Sequence, residues 1–186
     1  MKSKIEKLML GFSLLPLSLS AVAYDKADER IIDQHMQIVV DSIKAKQIAP
    51  IMALMPPQIF VVIGERFDMD AATLKTHMIQ TADDTFKDMA TAKFSYRYNL
   101  SKAKVYQSTT GREYVIFPTT FTMDDITINS HVVAIQDKVD DVNKWYIVRI
   151  ESPAQIEFIK QAYPDITDIQ IPVSYTHLTL PTIYSV

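Results

Sequence analysis

The sequence predicts an α+β fold in which N-terminal helices pack on a curved antiparallel β-meander. Two observations carry this. Apolar residues recur at helical spacing as far as Met89, and after Ala92 the period switches to strict alternation. No internal repeat or flexible linker divides residues 24–172, a length typical of one domain.

The first helix is expected from about Asp28 to Lys46. Ile32, Met36, Val39 and Ile43 recur on one face, with Asp33, Gln37 and Asp41 turned away. A shorter apolar helix, Ala49 to Met55, is interrupted by Pro56-Pro57. A further turn from Gln58 to Ile63 ends at Gly64, where a left-handed C-cap is expected. Asp70 then caps a third long helix reaching Met89, with Leu74, Met78, Ala82, Phe86 and Met89 on one side.

From Phe94 the alternation of Phe94, Tyr96, Tyr98 and Leu100 with Ser95, Arg97 and Asn99 marks a strand. Val105-Tyr106, Arg112 to Met123, Ile126 to Gln136 and Lys144 to Ile150 supply the others. Asp124-Asp125 reads as a tight hairpin and Asp137 to Asn143 as a longer one. Ser152-Pro153-Ala154-Gln155 is a capping box with proline at the first helical position, opening a last helix that stops before Pro164.

Both ends of the chain read as something other than the folded domain. Lys2, Lys4 and Lys7, the apolar run Leu8 to Ser20 and Ala21-Val22-Ala23 form a secretory signal, with cleavage expected after Ala23. The apolar run is too short to span a bilayer and no second one follows, so no membrane anchor is expected. Periplasmic or secreted localisation follows. Val173-Ser-Tyr-Thr-His-Leu-Thr-Leu-Pro-Thr182 resembles translated sequencing-adapter read-through, matching one frame of a transposase-end adapter. Residues 173–186 are therefore set aside as an artefact tail, and the gene is expected to have been cut near Pro172.

Without the first 23 residues, 16 basic side chains face 21 acidic ones. This mildly acidic balance, with no basic stripe, argues against nucleic acid as a partner. The absence of cysteine excludes disulfides, thiolate metal sites and thiol redox chemistry. The methionines are scattered and fit an adaptable core rather than a copper site. Only Gly64 and Gly111 follow residue 23, which leaves no phosphate cradle or dinucleotide loop. Neither a Gly-x-Ser-x-Gly elbow nor a Ser-x-x-Lys motif is present, and Ser101-Lys102 are adjacent rather than catalytically spaced. No cofactor is expected.

In element order, Asp28 to Ile150 resembles the cystatin-like cone of nuclear-transport-factor-2-like proteins. The break at Met55-Pro56-Pro57, the strand Lys144-Trp145-Tyr146-Ile147-Val148 and the step Tyr163-Pro164-Asp165 leading to Ile171-Pro172 resemble a group of small secreted bacterial proteins of unknown function. The chain departs from that group at Gly64-Glu65-Arg66, where its members often carry a Gly-Gly pair. The resemblance implies a fold and no catalytic residue.

Among candidate sites, His131 shares a strand face with Thr127, Asn129, Val133 and Ile135. If that face lines the mouth of a cone, His131 with an acidic partner is a general base; otherwise it is a half-exposed strand histidine. His35 and His77 read as boundary residues, and no histidine pair has the spacing of a helical zinc site. Asp137, Asp140, Asp141 and Asn143 are oxygen-rich but lack the spacing of a calcium loop, so a solvated turn is expected and no metal. The aromatic residues Phe94, Tyr96, Tyr98, Tyr114, Phe117, Phe121, Trp145 and Tyr146 either pack the core or line a pocket or a dimer interface. Ligand contacts are expected at Tyr96, Tyr98, Trp145 and Tyr146.

The leading expectation is a non-catalytic module that binds a small apolar ligand or an envelope protein, as a monomer or a homodimer. The alternative is a cone-shaped enzyme with His131 as base and Tyr96 or Tyr98 orienting the substrate. A purely structural or assembly-assisting envelope protein is the third reading.

Overall fold

The computed structural model describes residues 24–139, 142–169 and 171. The expected signal segment, the adapter-like tail with His177, Tyr175 and Tyr184, and Asp140 and Asp141 lie outside the described residues.

Helix α1, Lys26–Ala45, starts one turn's capping box earlier than its apolar stripe: Asp25 Oδ1 accepts from the Ala27 and Asp28 N–H groups at 2.6 and 3.0 Å. Ile32, Met36, Val39 and Ile43 are its buried face, as the spacing predicts. Lys46 closes it in the left-handed region, φ 55°. The Lys46 ammonium then donates to the Met89 and Ala90 carbonyls at the end of another helix, where a cation is electrostatically favoured.

Helix α2, Ala49–Ala53, is one turn long, because Pro56 and Pro57 stop it. Helix α3, Pro57–Arg66, begins with proline at its first position and runs straight through Gly64. Gly64 is therefore helical, not the left-handed cap its sequence suggests. Any β-carbon there would collide with the Met69 carbonyl oxygen, and the left-handed residue of this corner is Asp68, φ 52°. Helix α4, Ala71–Asp88, is capped by Asp70, whose Oδ1 accepts from Ala72 and Thr73 N–H. Only Leu74 of its stripe is fully buried; Met78, Ala82 and Phe86 are half-buried, so α4 roofs the helices rather than entering the core.

The strands are β1 Phe94–Tyr98, β2 Lys104–Gln107, β3 Glu113–Met123, β4 Ile126–Val139 and β5 Val142–Ile150, in one curled antiparallel sheet. Neighbours run β1-β3-β4-β5, and β2 pairs the other half of β3. A 3-10 turn at Leu100–Lys102, capped by the Asn99 side chain, separates β1 from β2 along that single edge. Asp124-Asp125 makes the expected tight hairpin, with Asp124 at φ 50° and Met123 opposite Ile126. The longer hairpin expected from Asp137 to Asn143 is instead mostly strand: Asp137 pairs Lys144, Lys138 pairs Asn143 and Val139 pairs Val142. Long β4 and β5 bury enough apolar surface at their far ends to hold the charged ends in register.

One sheet face carries Tyr96, Val115, Phe117, Val132, Ala134, Trp145 and Ile147 and packs on α1. The other carries Tyr114, Ile116, Val133, Ile135, Val148 and Ile150. It is covered by α5, Pro153–Ala162, and by the segment that follows, through Ile159, Tyr163, Ile166 and Ile169. The free edge of β5 meets the end of α2, where the Ile147 N–H donates to the Leu54 carbonyl at 2.9 Å. Among the described residues no helix is long and apolar enough to cross a membrane.

Candidate functional site

Among the described residues, side chains from α1, α2, α3, α4 and α5 line a cavity of about 350 Å³ beside β5. Met36, Val39 and Ile43 come from α1, Ile51 and Met52 from α2, Ile59 and Ile63 from α3, and Met78 from α4. Tyr96, Val132 and Ile147 form the sheet side, and Met55 and Phe158 complete the apolar wall. The helix break that the prolines impose creates this space, since a continuous helix would lay its stripe flat on the sheet.

The polar residues lining the cavity are few: Arg149, Gln155 and Tyr96. Arg149 Nε donates to Ser130 Oγ at 3.1 Å, and Ser130 exchanges a hydrogen bond of 2.9 Å with Thr119, both hydroxyls being buried. The guanidinium stacks over Phe121 at 5.1 Å and Tyr96 at 5.6 Å from the ring centroids. Its Nη2 lies 2.5 Å from Glu151 Oε1, an ion contact that lacks hydrogen-bond alignment. Burial raises the Tyr96 hydroxyl above the ordinary tyrosine range, against a hydrogen bond with Thr119 and the Arg149 charge, which lower it. The cavity thus has a long apolar wall and one cationic end.

No protein-family model, curated protein or solved structure matches this chain.

Of the four residues expected to touch a ligand, Tyr96 lines this cavity, and Trp145 and Tyr146 line a separate one of about 360 Å³. Tyr98 shares the face of Tyr96 but is tied to α1, donating to Asp33 Oδ1 at 2.7 Å and accepting from Gln37 Nε2 at 2.5 Å. Burial and the Asp33 hydrogen bond push its hydroxyl up to about 12. Trp145 is 3 % exposed and donates its indole N–H to Asp28 Oδ1 at 2.8 Å. Tyr146 lies on the opposite face, in register with Ile135. The aromatic set is therefore divided by the sheet: Tyr114 and Tyr146 look away from Phe94, Tyr96, Tyr98, Phe117, Phe121 and Trp145.

His131 faces the same way as Pro118 and Ile150, its cross-strand partners. That is the face opposite Tyr96 and Tyr98, so the sheet lies between the three residues of the enzyme reading. Burial alone lowers the His131 pKa, and no carboxylate contributes. His35 is half-buried with its Nδ1 unpartnered among the described residues, and His77 is exposed.

Asp137 is not part of a solvated turn. Arg112 Nη1 donates to its Oδ1 at 2.8 Å and the Tyr163 hydroxyl to its Oδ2 at 3.0 Å. Arg112 Nε also donates to Asp165 at 3.1 Å, and the guanidinium covers the Tyr163 ring. The Tyr163-Pro164-Asp165 step is thus a clamp that pins the C-terminal segment to β3 and β4. No group of three or more His, Cys, Asp or Glu among the described residues could hold a metal ion.

The cavity residues missed in the sequence are Met36, Met52, Met55, Met78 and Arg149. Four of the nine methionines in the chain gather here, and methionine recurs where one surface must fit guests of varied shape.

Proposed function

We propose that the chain is exported to the periplasm, cleaved after Ala23, and binds a small apolar ligand in the cavity between its helices and β5. The cavity itself supports this reading: about 350 Å³ lined almost wholly by Met, Ile, Val and aromatic side chains. Dry apolar cavities of about 150 Å³ already take a benzene-sized guest. Ligand pockets begin at roughly 300 Å³ and combine apolar walls with few polar groups. One polar group of the ligand faces Arg149 and Gln155, with the rest along the methionines. Glu151 competes for the same guanidinium, so the charge offered is partly neutralised.

Native mass spectrometry of the full chain, exported on its own leader and purified gently from a periplasm, tests this. The expected result is a reproducible excess mass over the denatured protein, displaced by added N-phenyl-1-naphthylamine. A bare mass combined with no uptake of that probe would overturn the proposal.

A further inference from the structure

We infer that Glu113 is a binding site for a primary ammonium group, and that its ligand is the new α-amino group of Tyr24 released by cleavage after Ala23. The position of cleavage rests on the export reading above; the consequence rests on geometry.

Glu113 opens β3 opposite Gln107 and is 3 % exposed, yet its Oε2 has no hydrogen-bond partner among the described residues. A buried carboxylate left half-satisfied is costly and calls for a cation. Asp28 and Asp25, both negative, also act on it. Burial foremost, then these carboxylates, raise its pKa, while the Gln107 side chain and the Tyr24 backbone N–H oppose the rise by hydrogen bonding. The Tyr24 N–H is thus among the groups that act on the carboxylate.

Tyr24 is held there from both sides. Its ring packs edge-on against Trp145 at 6.3 Å, and Asp25 is fixed as the cap of α1. With the Ala23–Tyr24 amide intact, the nitrogen offers one neutral N–H. Hydrolysis adds one water: the Ala23 carbonyl carbon becomes a carboxylate and the nitrogen leaves as –NH₃⁺, protonated at neutral pH because its ordinary pKa is about 8. Three donors and a positive charge then stand where one donor stood, and the buried carboxylate gains its counter-ion. Leader removal would in this way complete the fold.

The test compares the full chain purified from the periplasm with a cytoplasmic form carrying one Met ahead of Tyr24, each with Glu113 and as Glu113→Gln. Intact mass gives the N-terminus of the exported form. The periplasmic protein is expected to begin at Tyr24 and to melt about 4 °C or more above the Met-extended form. Glu113→Gln is expected to lower the melting temperature of the periplasmic form and to leave that of the extended form unchanged or raised. A different N-terminus would overturn the export reading at this bond, and the inference with it. An N-terminus at Tyr24 with equal melting temperatures, or Glu113→Gln lowering both forms alike, would overturn the inference alone.

Discussion

Met52→Trp is expected to abolish uptake of an apolar probe while leaving the protein folded. Met52 is half-buried on the short helix α2 and lines the cavity, so an indole placed there grows into empty space. Overpacking a filled core costs roughly 1–3 kcal/mol, but filling an existing void offsets much of that, so a stability change within about 1 kcal/mol is expected. Affinity for N-phenyl-1-naphthylamine should fall at least about tenfold, equivalent to about 1.4 kcal/mol. Met78→Trp enters the same space from α4 and should act alike. Retained affinity in both folded variants would place probe binding elsewhere.

Arg112→Met should be the most destabilising single change outside the apolar core. The side chains of Arg112, Asp137 and Asp165 are 24 %, 11 % and 13 % exposed, so removing the cation strands two poorly solvated carboxylates. Breaking a fully buried pair costs about 3–5 kcal/mol; this site is partly solvated, and about 2–4 kcal/mol in urea denaturation is expected. Adding Asp165→Asn should recover part of the loss.

The clamp also sets a pH dependence. Burial pushes the Asp165 carboxyl upward, but hydrogen bonds from Ser108, Thr110 and Arg112 outweigh it and the net pKa is lowered from 3.8. A lowered carboxylate contributes stability that is complete above its unfolded pKa and is lost as pH falls through the folded value. Wild type should therefore lose stability below about pH 4 more steeply than Arg112→Met.

Local order was legible in the sequence where one element decides it. The stripe Ile32, Met36, Val39 and Ile43, the alternation from Phe94 and the Ser152 to Gln155 capping box each need only a few consecutive residues, and each forms as expected, except that the strand ends at Tyr98 and Leu100 enters the 3-10 turn. The hairpin at Asp124-Asp125 was similarly local. Gly64 misled because its glycine requirement comes from the distant approach of the Met69 carbonyl, not from its own φ.

The site was hidden for the same reason. Parity along each strand was visible, but register between strands was not, so Tyr146 and His131 could be placed on a shared face with Tyr96 only by assumption. Register puts them opposite. Arg149, Met52 and Met78 converge from β5, α2 and α4, and no spacing in the sequence encodes that meeting. Asp137 looked like a turn residue because Arg112 and Tyr163 reach it from 25 and 26 positions away. The one usable signal was compositional: many methionines in a chain without a metal motif.

The most direct measurement is a methyl NMR titration of methionine-labelled protein with N-phenyl-1-naphthylamine. Met36, Met52, Met55 and Met78 line the cavity, whereas Met69, Met89 and Met123 do not. Saturable shifts confined to the first four methyls are the predicted result. Shifts in the latter three, or none at all, would contradict a ligand site between the helices and β5.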